Sequence, residues 1–390
     1  MPRNIVLLLD GTANALTANT TNLPRLYKVL EKSDTQQVYY DPGVGTFEEG
    51  NSFLSWYRRF KEVLGMATGW GLDRNVKQAY RYLCQVTGDT DEITDDIYLM
   101  GFSRGSHTAR VLAGLIHQIG LLRPDQMNLV DYAYDAYKRI SNSRSDEAGA
   151  SAPFEAIDAF TSHLKPRRVP VRCVAVFDTV SSMIEIDGMR LRLRPYANTT
   201  NNPSVKSLRH AVAIDERRIM FRPRLWGDTQ EYWGNLPIRP KTPAKQDVQE
   251  VWFSGVHADI GGGYPEDEAG LAKVTLKWML DELAPMGLKI NKRAFNKYVL
   301  GTHKDKYIEP NPLADPHDSM SFGWKIIEFI PFKHNKLSRT PRETFLGWYL
   351  PLRKPRHIKA GSNIHTSVFK RRGTEHDYLQ PNIPDEYTEI

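Results

Sequence analysis

The chain has 390 residues, 41% of them hydrophobic and 25% charged, ordinary proportions that exclude a disordered or low-complexity protein. Fifty-two Lys and Arg against 46 Asp and Glu leave a net charge of +6, too mild to argue for a nucleic-acid partner. The two cysteines, Cys84 and Cys173, lie in apolar segments without metal-ligand spacing, which points to core residues of a reducing compartment rather than a disulfide framework.

Ile5 to Leu9 is an apolar run that predicts a buried first strand ending in the polar turn Asp10-Gly11-Thr12. It is too short for a signal-peptide core, and no uninterrupted apolar stretch of about 18 residues follows. The chain is therefore expected to be soluble and cytoplasmic as synthesised. Val38 to Tyr40 predicts a second strand, ending in Asp41-Pro42-Gly43. Residues 60 to 87 carry a helical pattern with a glycine-rich interruption from Gly65 to Gly71. Ile97, Leu99 and Met100 predict a buried strand, and from Thr108 onward Val111, Leu112, Leu115 and Ile119 recur at helical spacing. A polar loop spans 140 to 153, and Arg172 to Phe177 predicts the next strand, ending in Asp178-Thr179-Val180. Residues 204 to 218 are read as a helix carrying His210. Val248 to Phe253 predicts a further strand that opens into a glycine-rich loop containing His257, and a helix covers roughly 268 to 284. Strands alternating with helices predict an α/β fold with a mostly parallel sheet covered on both faces.

Between the third of these strands and its helix stands Gly101-x-Ser103-x-Gly105. Strand, sharp turn and helix form the context of a nucleophile elbow, as in α/β-hydrolases. A serine hydroxyl is a weak nucleophile until a base reaches it, so a tight turn must project it. Large residues at Gly101 or Gly105 would collide with the neighbouring strand and helix. The chain order Ser103, Asp178, His257 matches the Ser…Asp…His order of those enzymes. His257 would carry the Ser103 proton to the leaving group, and Asp178 would fix the imidazole tautomer. Alternatives remain at this level: Asp178 as a turn cap, Asp259 as a turn aspartate or as the histidine partner, and His365 as the base. His107 is expected to shape the first turn of the elbow helix, and His210 to pack. An oxyanion needs two donors, each typically worth ~3 kcal/mol. The Arg104 backbone N–H is one candidate, and Gly11 or Thr12 supplies the other, with Asp10 hydrogen-bonded within its turn. No cofactor and no metal are called for.

LLLDGT, GFSRGSHTAR, VAVFDTV, HAVAIDERRIMFRPRLW, VWFSGVHADIGGGYP and IHTSV occur in the order in which one family carries similar blocks. The chain resembles, from residue 5 to about 385, the uncharacterised α/β-hydrolase family that includes phospholipase effectors of type VI secretion systems. That resemblance implies a triad of Ser103, Asp178 and His257, and favours His257 over His365. It also implies a lipid-ester substrate and delivery by a specialised secretion system. Ala13, Ser106 and Ser181 depart mildly from the family pattern. The expected division is a catalytic core at 1–300 and an extension at 301–390 packed on it as a lid or membrane-facing segment.

SFGWKIIEFIPF at 321–332 and FLGWYLPL at 345–352 concentrate large apolar side chains, and 321–372 holds twelve Lys and Arg against Glu328 and Glu343, a difference of +10. Trp324, Phe329 and Trp348, with Arg353, Lys354 and Arg356 nearby, would suit peripheral contact with an anionic bilayer. The alternative is an apolar cover for the core with a solvated basic rim. The expected function is a serine ester hydrolase acting on phospholipid or another lipid ester. A soluble carboxylesterase and a non-catalytic scaffold are the competing expectations.

Overall fold

NIVLLL, residues Asn4–Leu9, is buried along its whole length and forms β1. A computed structural model describes residues 2–11, 20–43, 70–87, 94–142, 152–180, 184–187, 190–193, 196–227, 230–234, 238–302, 306–321, 324–325, 328–333, 348–374 and 380–390. After β1 come α1 (Asn22–Val29), β2 (Gln36–Asp41), α2 (Trp70–Val86), β3 (Asp96–Phe102), α3 (Arg104–Ile119), α4 (Val130–Asn142), α5 (Ala152–Leu164) and β4 (Val171–Phe177). The antiparallel pair β5 (Ile184–Asp187) and β6 (Arg190–Leu193) precedes β7 (Val205–Ala213). A short pair, β8 (Glu231–Tyr232) and β9 (Ala244–Lys245), precedes β10 (Asp247–Phe253). Then follow α6 (His257–Gly261), α7 (Gly270–Leu283), α8 (Lys292–Tyr298), the antiparallel pair β11 (Phe332–Lys333) and β12 (Trp348–Tyr349), and finally β13 (Ser362–Ile364) and β14 (Tyr387–Glu389).

Eight strands form one sheet in the order β14-β13-β10-β7-β4-β3-β1-β2, and every neighbouring pair is parallel. Parallel strands need crossovers, and the crossover helices cover both faces. Successive side chains of β1 therefore enter different cores. Ile5, Leu7 and Leu9 pack with α2, α3 and α4 on one side, while Val6 and Leu8 pack with α1 and α7 on the other. The chain steps from β1 outward to β2 and then returns across β1 to β3, so the strand order reverses there. In open sheets of this kind the crevice beyond the strand carboxyl ends at that reversal is where ligands bind. The architecture is α/β-hydrolase-like.

Residues 204–218 do not form a helix. Val205–Ala213 is β7, a central strand hydrogen-bonded to β4 and β10. Val205, Leu208 and Val212 happen to fall at helical spacing, and the alternation of a strand is hidden because both faces are covered. Polar side chains on both faces are buried with partners: Arg209 pairs with Glu282 at 2.7 Å and Asp247 at 2.8 Å, and His210 Nδ1 meets Glu250 Oε1 at 2.7 Å. Cys84 and Cys173 are free thiols in separate cores, and burial pushes both up to about 12. Residues beyond 301 supply β13 and β14 to the sheet itself.

Candidate active site

β3 ends against α3 with almost no space between them. A Cβ on Gly101 would lie 2.6 Å from the Gly105 carbonyl carbon, and one on Gly105 would lie 2.0 Å from the Leu9 carbonyl oxygen. Only hydrogen fits at either place. Ser103, between them, takes φ +57° and ψ −119°, a conformation that costs a non-glycine residue about 1–3 kcal/mol. Two bonds to one carbonyl hold the strained turn: Ser103 N–H and Ser106 Oγ both donate to Phe177 O, at 3.1 and 3.0 Å. Arg104 is the first residue of α3, so its N–H lies at the positive end of a helix of 16 residues.

Asp178 follows β4 and is also strained, with φ +37°. Its N–H donates to Ala211 O at 2.7 Å, and the next N–H, of Thr179, donates to His210 Nε2 at 3.1 Å. β7 thus sets the backbone of Asp178 from the side. His257 opens α6 directly after β10, and its ring stacks on Phe102, the residue before Ser103, with centroids 4.7 Å apart. Phe221 closes the other side edge-on at 4.9 Å. His257 Nδ1 lies 2.6 Å from Asp178 Oδ2, both groups buried. With Nδ1 engaged, Nε2 is the nitrogen left to meet a serine proton. Ser103, Asp178 and His257 accordingly all sit just beyond the carboxyl ends of β3, β4 and β10.

Two buried charged groups around this centre escape a reading of the sequence. Arg356 forks the Asp178 carboxylate, Nη1 to Oδ1 at 2.6 Å and Nη2 to Oδ2 at 2.9 Å. Burial disfavours the Asp178 carboxylate, but the Arg356 charge, with the bond to His257, outweighs it and holds the group well below the usual carboxylate range. The expectation that Arg356 belongs to a bilayer-facing basic strip is therefore wrong. Its counter-charge lies in the core of the candidate site, and nothing in a linear sequence pairs residues 178 apart. Glu216 is the second. It accepts from the His257 N–H at 3.2 Å and forks with Arg218. Burial opposes its charge, but Arg218 and then Arg356 bring it down to about 2. Its neighbour Asp215 accepts from Gly255 N–H at 2.6 Å, so the acidic pair just beyond β7 holds the loop that carries His257. A signal for it exists: Asp215-Glu216 follows an apolar run, as Asp10 and Asp178 do.

The rival residues have other partners. Asp259 accepts from Val256 N–H at 2.9 Å and meets His317 Nδ1 at 2.6 Å, so it braces the α6 turn rather than His257. His365 stacks on Phe253 at 4.5 Å and bonds Ser367, and burial lowers it to about 4. His210 is on β7, not on a helix. His107 is buried within α3, where burial and the Arg224 and Arg110 charges lower it to about 3. Gly11 N–H donates to Asp10 Oδ1 at 2.8 Å, turned towards a carboxylate rather than offered to an oxyanion. Asp10 thus bonds within its turn through Oδ1, while its Oδ2 accepts from outside the turn, from Thr21 Oγ1 at 2.7 Å and Tyr40 Oη at 3.2 Å. Thr12 lies outside the described residues, as do Ala13 and Ser181.

Residues 3–282 match the family model described as T6SS, phospholipase effector Tle1-like, catalytic domain. The uncharacterized protein YEL023C of Saccharomyces cerevisiae is 24% identical, over 82% of this chain and 62% of that protein, so the chain spans less than two thirds of this relative. A solved structure of an uncharacterized protein from Pseudomonas aeruginosa overlaps with TM-score 0.38 at 17% identity, covering 79% of this chain and 49% of the other. The Tle1 effector bound to the VgrG spike from the Type 6 secretion system overlaps with TM-score 0.30 at 16% identity, covering 69% and 53%.

Proposed function

The chain belongs to the Tle1-like phospholipase effector catalytic-domain family, and from that premise we propose that it is a serine hydrolase of phospholipid or other lipid esters. One observation carries the serine mechanism: a buried Asp178–His257 pair at 2.6 Å whose imidazole stacks on Phe102, the residue before the strained Ser103. Ser103 Oγ attacks the ester carbonyl carbon while His257 Nε2 takes the Oγ proton. The carbonyl electron pair becomes an oxyanion, met by Arg104 N–H at the positive end of α3. Collapse breaks the bond to the alcohol oxygen, His257 returns the proton to it, and an acyl-enzyme remains. Water, deprotonated by the same nitrogen, then attacks the acyl carbon; the bond to Ser103 Oγ breaks, His257 returns the proton to Oγ, and the acid leaves. Asp178 holds the tautomer with Nδ1 protonated throughout.

A lipid substrate is favoured by the surface beside the site. Arms 328–333 and 348–353 pair through Phe332 and Tyr349 and through Leu352 N–H to Glu328 O at 3.2 Å. They expose Phe329, Ile330, Leu350 and Leu352, the first at 62%. Glu328 accepts from Ile219 N–H at 2.7 Å, and Trp324 packs on Phe221 at 5.6 Å, which ties these arms to the wall of the His257 pocket. Delivery by a type VI secretion system is the route the family suggests. The test is fatty-acid release from phospholipid vesicles and from a soluble short-chain ester, with fluorophosphonate labelling. Wild type should label and hydrolyse vesicles; Ser103→Ala should do neither, and His257→Ala should lose several orders of magnitude where His365→Ala loses little. Labelling with turnover on the soluble ester alone would make it a carboxylesterase. Full turnover by Ser103→Ala would end the serine reading.

A further inference from the structure

Asp178 is saturated. Oδ1 accepts from Arg356 Nη1 at 2.6 Å and Ala213 N–H at 3.0 Å; Oδ2 accepts from Arg356 Nη2 at 2.9 Å and lies 2.6 Å from His257 Nδ1. Arg356 is itself fixed, donating to Ala213 O at 2.9 Å and to Phe221 O. Its own carbonyl accepts from Asn382 Nδ2 at 3.0 Å, which also reaches Ile214 O at 3.2 Å. A Ser-His-Asp triad as such contains no guanidinium, so the fork is an addition to it.

We propose that Arg356 is a positioning residue for the hydrolysis, locking the Asp178 carboxylate against His257 and supplying its counter-charge so that the imidazole can stay neutral as a base. The inference rests on the serine-hydrolase reading above and concerns a residue beyond the matched region 3–282. The physical argument is one of charge. A buried carboxylate facing only an imidazole leaves one uncompensated charge, which is relieved by protonating the imidazole. A protonated His257 cannot accept the serine proton. With Arg356 in place, the pair is already neutral and His257 is free to cycle. The other charged or titratable groups facing this centre are Glu216 with Arg218 forked to it, and His210 behind Thr179 with Glu250 and Arg110 beside it. Of these, Glu216 also feels the Arg356 charge and keeps its fork with Arg218 when Arg356 alone is altered; the others keep the partners named.

The experiment uses the full chain and a soluble fluorogenic short-chain ester, so that membrane contact has no part. Arg356→Met should lower kcat by roughly 10- to 100-fold with KM within about twofold, and should move the acid limb of kcat up by about one pH unit. Arg356→Lys keeps the charge but not the fork, so kcat should fall while the acid limb stays. On an Asp178→Asn background, Arg356→Met should cost almost nothing further, because the arginine acts through that carboxylate. Wild-type kcat in Arg356→Lys, or an acid limb that stays or moves down in Arg356→Met, would overturn the proposal. So would an undiminished loss on the Asp178→Asn background. Should Arg356→Met fail to fold, kcat of Arg356→Lys decides. Full activity of Ser103→Ala overturns the serine reading and this inference together, whereas an inactive Ser103→Ala with wild-type behaviour in Arg356→Lys sinks the inference alone.

Discussion

Ser103 and Asp178 are two non-glycine residues at positive φ, and each is held there by bonds from a neighbouring strand. Strain of this kind is removable. Ser103→Gly should abolish turnover while raising stability by about 1 kcal/mol, since relief of roughly 1–3 kcal/mol exceeds the extra unfolded-state entropy of glycine. Chemical denaturation measures it, and a clear loss of stability would mean the turn is not strained. Asp178→Asn behaves differently from an ordinary tautomer variant. Asparagine tolerates the backbone, but the Arg356 charge is left buried without its partner, so stability should fall by about 3–5 kcal/mol as well as turnover. Removing Arg356 in addition, as Met, should restore much of that stability.

Elements are joined around the site by charge as well as by hydrophobic packing. His317 lies between Asp259 on α6 and Glu268 before α7, at 2.6 and 3.0 Å, with Tyr264 stacked on it at 3.5 Å. Burial opposes its charge, yet the two carboxylates outweigh it and raise His317 above its ordinary value. A histidine raised on folding stabilises fully below its unfolded value and loses that contribution as pH climbs through the raised one. The contribution of His317 should thus decline from about pH 6.5 upward, so that the stability difference between wild type and His317→Asn shrinks across that window. Denaturant midpoints across that window measure it; equal slopes in both proteins would remove His317 from the account. Because Asp259 also holds the turn that opens with His257, the same deprotonation should increase amide exchange at 256–261.

At the scale of the whole molecule, the tail is not an appendage. It supplies β13 and β14 to the sheet and Arg356 to Asp178, while Arg371 is buried on the carbonyls of Pro312 and Ala314 at 2.8 and 2.7 Å. Charge reversal in the basic segment must therefore be split. Arg353→Glu with Lys354→Glu should weaken binding to anionic vesicles by roughly 1 kcal/mol or more per site and make the remainder less sensitive to salt, sparing the soluble ester. Adding Arg356→Glu should destroy activity on both substrates, by placing a second carboxylate against Asp178. Vesicle flotation beside ester turnover separates these outcomes. Unchanged vesicle binding in the double reversal would leave Phe329, Ile330, Leu350 and Leu352 without an electrostatic partner in membrane contact.

Apolar runs ending in Asp-Gly, Asp-Thr or Gly-x-Ser are enough to predict β1, β3 and β4 and the strand–turn–helix at Ser103, and the shorter run Val251-Trp252-Phe253 before Ser254-Gly255 marks β10. Those features are local: a buried parallel strand needs apolar side chains on both faces, and its elbow needs glycine at fixed offsets. The order of Ser103, Asp178 and His257 was equally legible, because each follows the carboxyl end of a strand. β7 was not. Its Arg209 and His210 look like the polar face of a helix until Glu282, Asp247 and Glu250 are brought alongside to satisfy them. Nor could the sequence separate Arg356 from Arg353 and Lys354, three cations within four residues. Burial decided between them, since a charge can enter a core only where the fold delivers an opposite charge to meet it, and that partner is Asp178 at 2.6 Å.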